Sequence, residues 1–558
     1  MPAFQGEVRD FLFTKGLSNW EFGKLNLARR LSVLQSGQVS RRIIQLLFAL
    51  LGQAAFASGM DSNEVALVLS QAISRAQVIA PQAVIAVVDN EGFVLGVWSV
   101  DGAPDANAVQ DAITKAGTAA FLSSDQNAFT SRTAGFIVQQ HFPPGIQNRP
   151  NGPLVGVNFS NLSFTDVNRF KNPHSGYVAD FTSGTNGDAI AGPAPLSGLA
   201  GSPGGVPLYR AGKLIGGVGV AGHTRAPKVS PFSALADIQT KQVYDRDEDV
   251  ALAGQIGFKP ATKIFGSGVL IDGIRVPYVK SMTRLKNVQA LGVIGSNVAP
   301  YAVVDSPVVA YPTDVFGGQV CEVRAPVIDD PEAGLINGQA RLTASEVTTI
   351  LSQASARAKT TRGGIRLPRG QAAQTFITVV NYPAIPDTAP AILGTIRTPG
   401  ATLFSWDVAA QKARTAVFFS NDTRAFSTRT VGFLAQQFYP PGIANTAPGP
   451  FYGLQEFYSL LPAGVKNPLN RVVLTDALTE PNPYLPNGIT IFPGGFPLYR
   501  NGVLIGAIGV SGDGIDQDDF IAAAGSVGFV APEGIRADRQ QHQGARLPYA
   551  KFPRNPEL

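Results

Sequence analysis

Apolar residues recur at helical spacing soon after residue 60: Val65, Val68, Leu69, Ala72 and Ala76. Asp61-Ser62-Asn63-Glu64 stands just before them, and an Asp followed three residues later by Glu is a helix-start signal. The pattern then changes period. Residues 83–89 are a β-branched run, Asn90-Glu91-Gly92 makes a turn, and 93–100 reads as a returning strand. A helical stretch follows over 107–122. A second helix runs through Arg132-Thr133-Ala134-Gly135-Phe136 and is stopped by Pro143-Pro144-Gly145. After a Gly-, Asn- and Pro-rich loop (146–203), a hairpin turns at Ala211-Gly212. A last helix is expected near Val250, capped by Asp247 and Asp249.

The same order returns later in the chain. Residues 119–146 read AAFLSSDQNAFTSRTAGFIVQQHFPPGI and 416–443 read AVFFSNDTRAFSTRTVGFLAQQFYPPGI, with 16 of 28 positions identical. GGVPLYRAGKLIGGVGVAG (204–222) matches GGFPLYRNGVLIGAIGVSG (494–512), and GIRVPYVK (273–280) matches GARLPYAK (544–551). Such self-similarity marks a duplicated structural unit. Copy 1 is therefore expected over 61–281, a connector over 282–339 and copy 2 over 340–552. Copy 2 opens with a capping box, Thr343 to Glu346. It has a strand at 376–380, a loop broken by Pro383, Pro386 and Pro390, and a strand at 392–396. A helix over 408–419 follows, then a second long loop (443–493) and a hairpin turning at Asn501-Gly502. Its last helix has Asp516 and Asp518 before Phe520. Asn381 stands near the place of copy 1's Asp89.

Hairpins predominate, so the expected fold class is α+β: two tandem domains, each an antiparallel sheet flanked by helices, with long inserted loops. The 558 residues, 44% hydrophobic and 15% charged, suffice for large cores. A net charge of +5 without a Lys/Arg run, and no nucleic-acid motif, speak against a DNA or RNA partner. The single cysteine, Cys321, excludes an intramolecular disulfide and reads as an incidental buried thiol. Near the start, Arg41-Arg42, an apolar run over 43–56 and Ala55-Phe56-Ala57 have the order of a secretory signal. The expectation is an N-terminal extension (1–38), a signal peptide (39–57), and a periplasmic or secreted mature chain without an integral membrane segment.

Several of these residues resemble the GlcG/HbpS-like family of haem-binding and haem-degrading proteins. They are the I-A-V-V-D strand with its Gly turn (85–92), Lys-Ala-x-Thr-Ala (115–119 and 412–416), G-G-x-P, and the I-G-x-x-G-V-x-G strand. The resemblance covers most of both copies. It implies profilin-like domains that self-associate, and haem as cofactor. The resulting expectation is an exported binding protein for haem or a similar flat anionic cofactor, built as a covalent pseudo-dimer. The alternatives are a haem-degrading enzyme and a cofactor-free structural or interaction protein.

On this resemblance the cofactor-binding candidates are Lys115, Thr118, Arg132, Gly205, Pro207 and Tyr209, with Lys412, Thr415, Arg429, Gly495, Pro497 and Tyr499 in copy 2. The lysines and arginines could hold carboxylates of the ligand, and the arginines, with Arg210 and Arg500, could equally brace the fold by salt bridges. The strand glycines imply close approach, either to another chain element or to a flat ligand. Gly217-Val218-Gly219-Val220-Ala221-Gly222 spells G-x-G-x-x-G, but a dinucleotide site needs that pattern in a turn before a helix. Haem iron takes His, Cys, Met or Tyr on its axis. No histidine is duplicated, so His141 and His223 are the candidates in copy 1. No EF-hand, G-x-S-x-G, H-E-x-x-H or P-loop pattern occurs.

Overall fold

The computed structural model describes residues 59–138, 142–144, 146, 152–154, 200–222, 243–307, 311–364, 371–384, 388–443, 445–452, 454, 485 and 488–551. The expected export signal at 39–57 and most of both long loops lie outside the described residues. Ser58–Leu558 forms one compact unit. No described helix is long and apolar enough to cross a membrane.

Copy 1 holds α1 (Ser62–Ile79), β1 (Val84–Asp89), β2 (Val94–Ser99), α2 (Ala106–Leu122), α3 (Ser131–Ile137), β3 (Gly205–Arg210), β4 (Lys213–Ala221) and α4 (Arg246–Gly254). A short ribbon, β5 (Leu270–Ile271) with β6 (Ile274–Arg275), follows. Then come β7 (Ser296–Asn297), β8 (Thr313–Phe316) and β9 (Gln319–Ala325). Copy 2 repeats the plan with α5 (Ala344–Thr360), β10 (Phe376–Asn381), β11 (Ile392–Arg397), α6 (Phe404–Phe418), α7 (Thr428–Leu434), β12 (Gly495–Arg500), β13 (Val503–Ser511) and α8 (Ile515–Gly525). A second short ribbon, β14 (Gln541–His542) with β15 (Ala545–Arg546), closes it.

The sheets are antiparallel, in the orders β3-β4-β1-β2-β7 and β12-β13-β10-β11-β9-β8. The registers of the two copies coincide: Asp89 pairs with Gly216, and Asn381 with Gly506. Both opening helices start with the expected capping boxes, Asp61 with Glu64 and Thr343 with Glu346. The segment 282–339 is more than a tether. Ser296–Asn297 adds a strand beside β2, and the β8–β9 hairpin extends the second sheet beside β11.

Each sheet is covered on both faces. Alternate residues of β1 go opposite ways, as period-2 strands require. Ile85 and Val87 pack with α1 and α4 (Val65, Val68, Leu69, Val250), while Val84, Ala86 and Val88 pack with α2 (Ala112, Ile113, Ala116). The second cluster continues into copy 2 and takes in Phe376, Ala401, Leu403, Phe404, Trp406, Val408 and Phe492. The halves thus share one apolar core. At its rim, Arg324 is buried and donates to both carboxylate oxygens of Glu91, at 2.8 and 3.0 Å. Its guanidinium carbon lies 3.5 Å from the Tyr311 ring centre. A buried ion pair with this geometry offsets the cost of desolvating its charges.

The last helices differ from the sequence reading. They begin earlier than expected, and the acids are not their caps. Asp245 caps α4 by accepting from the Glu248 amide, and α8 starts at Gly514 without a side-chain cap. Asp247, Glu248, Asp249 and Asp518 lie inside the first turns, Asp519 just past one, and all are buried.

Candidate functional site

The acids are buried because they receive the duplicated cations. Lys115 projects from α2 with no exposed side-chain surface. Its ammonium donates to the Val220 carbonyl at 3.0 Å and meets Asp247 at 3.3 Å and Asp111 at 3.0 Å. Burial alone would lower its pKa, but the neighbouring Asp111 and Asp247 outweigh that and hold it above the ordinary lysine value. Lys412 repeats the geometry, donating to Val510 at 2.7 Å and to Asp518 at 2.8 Å. Copy 2 has Val408 at the position of Asp111.

Arg132 grips Glu248 with two bonds of 2.7 and 3.0 Å. Arg429 reaches Asp519 and Asp516, each at 2.8 Å. Burial raises the Asp519 carboxyl even so, whereas bonds from Arg429 and Lys551 outweigh burial and lower Asp516. The third repeated segment closes over this pair. The amides of Lys280 and Ser281 donate to Glu248, and the amide of Lys551 to Asp519.

The other duplicated candidates also have internal partners. Thr118 accepts from the Ala200 amide at 2.8 Å and Thr415 from the Thr490 amide at 3.2 Å. The Gly205 amide donates to Ser131, and that of Gly495 to Thr428, both at 2.8 Å. Tyr209 donates to the carbonyls of Ser124 and Asn127, and Tyr499 to those of Asn421 and Arg424. Burial pushes both phenols up. Pro207 and Pro497 sit in β3 and β12 opposite Gly217 and Ala507. Arg210 and Arg500 pair with Glu64 and Glu346, each at 2.7 Å.

Close packing explains the strand glycines. A Cβ on Gly219 would collide with the Ala112 carbonyl, and one on Gly509 with the Ala409 carbonyl. The glycine strands therefore let helix backbone approach, the first of the two readings left open by the sequence. The G-x-G-x-x-G run lies in and just after β4, not in a turn before a helix. Cys321 is buried, and burial raises its thiol pKa.

Between the copies lies a small, largely closed apolar crevice. Copy 1 supplies Leu122, Phe129, Ile137 and Leu154. Copy 2 supplies Phe404, Val408 and Phe492, with Lys412 and Asp518 at its polar edge. Of the cofactor-binding candidates named from the sequence, only Lys412 lines this crevice. The aromatic walls were missed, although aligning the copies carries a signal: Phe404, Val408 and Phe492 stand where copy 1 has Asn107, Asp111 and Ser202. His141 and His223 lie outside the described residues. Among the described residues no group of three His, Cys, Asp or Glu could hold a metal ion.

Two helix-flanked antiparallel sheets of one plan, sharing one apolar core, define a tandem α+β protein. The model of the Haem degrading protein HbpS-like family matches residues 60–227 and 372–526, more than half of the chain, and the chain belongs to that family. Among solved structures, a PduOC–heme complex is 22% identical, covering 34% of this chain and 94% of its own, with a TM-score of 0.21. Klebsiella pneumoniae ORFY is 19% identical, covering 35% and 96%, at 0.21. A double mutant of Streptomyces reticuli HbpS is 21% identical, covering 36% and 95%, at 0.20. No curated protein matches.

Haem asks for apolar walls, partners for its carboxylates and an axial donor to iron. The crevice is apolar, but Lys412 at its edge is already paired with Asp518. None of the described lining residues is His, Cys, Met or Tyr. The described residues of this crevice thus do not fit a haem: they leave room for little more than water and supply no axial ligand to the iron.

Proposed function

We propose that the protein is an exported binding protein for haem or a similar flat anionic cofactor. It is a covalent pseudo-dimer of two copies of one domain. The observation that carries this reading is that both copies match the model of a haem-linked family. Membership of a haem-linked family supports the choice of ligand. The family description speaks of degradation, and this favours a second reading, a haem-degrading enzyme.

An absorbance titration of the mature chain with haemin tests the proposal. The expected result is a saturable shift of the Soret band. A featureless, non-saturating titration would remove the reading and favour a cofactor-free interaction protein. Addition of reductant then separates binder from enzyme, because degradation bleaches the band and releases product. Export predicts a mature N-terminus near Ser58, readable by N-terminal sequencing. Further self-association is expected to appear as a mass above one chain in sedimentation.

A further inference from the structure

We infer that the buried Glu91–Arg324 ion pair is a pairing key: it makes the face that copy 2 turns to its neighbour accept copy 1 and refuse a second copy 2. The inference concerns how the copies assemble and does not involve the ligand.

Copy 2 has a use for such a key. Its face takes up the apolar end of copy 1, where Leu122, Phe129, Ile137 and Leu154 stand. Copy 2 carries an apolar end of the same design, with Phe419, Phe426, Leu434 and Phe451 at those places. The Phe451 amide donates to the Leu434 carbonyl as that of Leu154 does to the Ile137 carbonyl, so the two ends share their local geometry. Apolar contact alone therefore does not tell copy 1 from copy 2 of a second chain. Copy 2 bears both halves of this end-to-tail contact, and a unit that does so can add to itself in open series.

Charge separates the two partners. The β8–β9 hairpin, seated on copy 2's sheet, carries Glu322 and Arg324, and β11 places Arg397 beside them. Two guanidiniums share one carboxylate there. Copy 1 brings the second. Glu91, in the turn between β1 and β2, takes both bonds from Arg324, at 2.8 and 3.0 Å, and lies 3.9 Å from Arg397. Arg324 is 1% exposed and lies 3.5 and 5.1 Å from the ring centres of Tyr311 and Trp406, so water does not stand in for the carboxylate. The equivalent turn of copy 2 is the proline-broken loop 382–391. It holds no Glu, and its single acid, Asp387, lies outside the described residues. A second copy 2 in copy 1's place would leave Arg324 buried against Glu322 alone. Breaking a buried pair costs far more than an intact pair contributes, and this is how a buried charge selects a partner.

Refolding of the full chain tests the key. Each variant is diluted out of urea over a range of protein concentrations beside the wild type, and sedimentation compares the masses. Glu91→Gln removes the charge and keeps the shape. Glu91→Leu combined with Arg324→Met removes both charges and should keep the wild-type urea midpoint, as apolar replacement of a buried pair often does. Both should give species heavier than those of the wild type, in a share that rises with concentration. Glu91→Gln should also lower the midpoint. Asp249→Asn breaks the pair with Arg75, which lies wholly within copy 1. It should lower the midpoint and leave the masses as in the wild type. Wild-type masses in both Glu91→Gln and the double variant, or the same heavier species in Asp249→Asn, would overturn the inference. A haemin titration without saturation leaves it standing, so the ligand reading and the pairing key fail separately.

Discussion

The last turns of α2 and α6 carry nearly the same residues and lie in different surroundings. Phe121 of α2 has no exposed surface, because copy 2 closes the core over that end of copy 1. Its counterpart Phe418 is 37% exposed. The opposite ends show the reverse. Residues 101–105 before α2 are exposed, while Ala401 and Leu403 before α6 are 1% and 3% exposed. Fusing two copies end to tail buries one end of each and leaves the other two outside. Nearly the same local sequence then lies in different surroundings, and copy 1 carries Ala106 and Asp111 where copy 2 carries Leu403 and Val408.

The largest test of this contrast removes the equivalent ring from each copy. Phe121→Ala should cost about 3–5 kcal/mol, as deletion of a fully buried aromatic does. Phe418→Ala should cost about 1 kcal/mol or less, since its ring is partly in water already. Urea midpoints of the two variants measure the difference, and equal losses would mean that the copies do not share a core.

A smaller effect is expected where α2 crosses β4 and α6 crosses β13. Copy 1 has Gly217 at a position where copy 2 has Ala507, and a Cβ on Gly217 would collide with the Ala116 carbonyl. Gly217→Ala should therefore destabilise by about 1–3 kcal/mol through overpacking. Ala507→Gly should cost about 1 kcal/mol, from lost contact and added backbone freedom. Thermal melts decide this, and a neutral Gly217→Ala would show that helix and sheet in copy 1 are not in close register.

The smallest contrast is in acid. Asp249 of copy 1 bonds Arg75 at 2.7 Å, and these bonds outweigh burial, so its carboxyl lies below the ordinary 3.8. A depressed carboxylate contributes stability that is present above its unfolded pKa and lost as pH falls through the folded one. Copy 2 has Phe520 there, and its raised Asp519 works the other way: protonation on acidification relieves a buried charge. Below about pH 4, α4 should lose hydrogen-exchange protection before α8, with intrinsic rates corrected for pH. Earlier opening of α8 would break the comparison.

The polar residues teach a related lesson. Repetition marked Lys115, Arg132, Tyr209 and their counterparts as important, and so they are, as partners of buried acids and loop carbonyls. A buried cation needs a carboxylate beside it, and a buried phenol an acceptor, so a folding requirement duplicates as faithfully as a binding one. The lining of the crevice was legible only in the differences between the copies, at Phe404, Val408 and Phe492. Repeat searching passes over such positions.

The sequence by itself determined the duplication, the α+β class, both capping boxes and the strand pairs around Gly92 and Asn501-Gly502. These follow from local periodicity, caps and turns, which act over a few residues. Tertiary structure decided the rest: that Asp247 and Asp518 face lysines and do not cap helices, that 282–339 lends strands to both sheets, and that the crevice lies between unlike ends. Such contacts join residues about 70 to 200 positions apart, and local patterning carries no term for the distance between them.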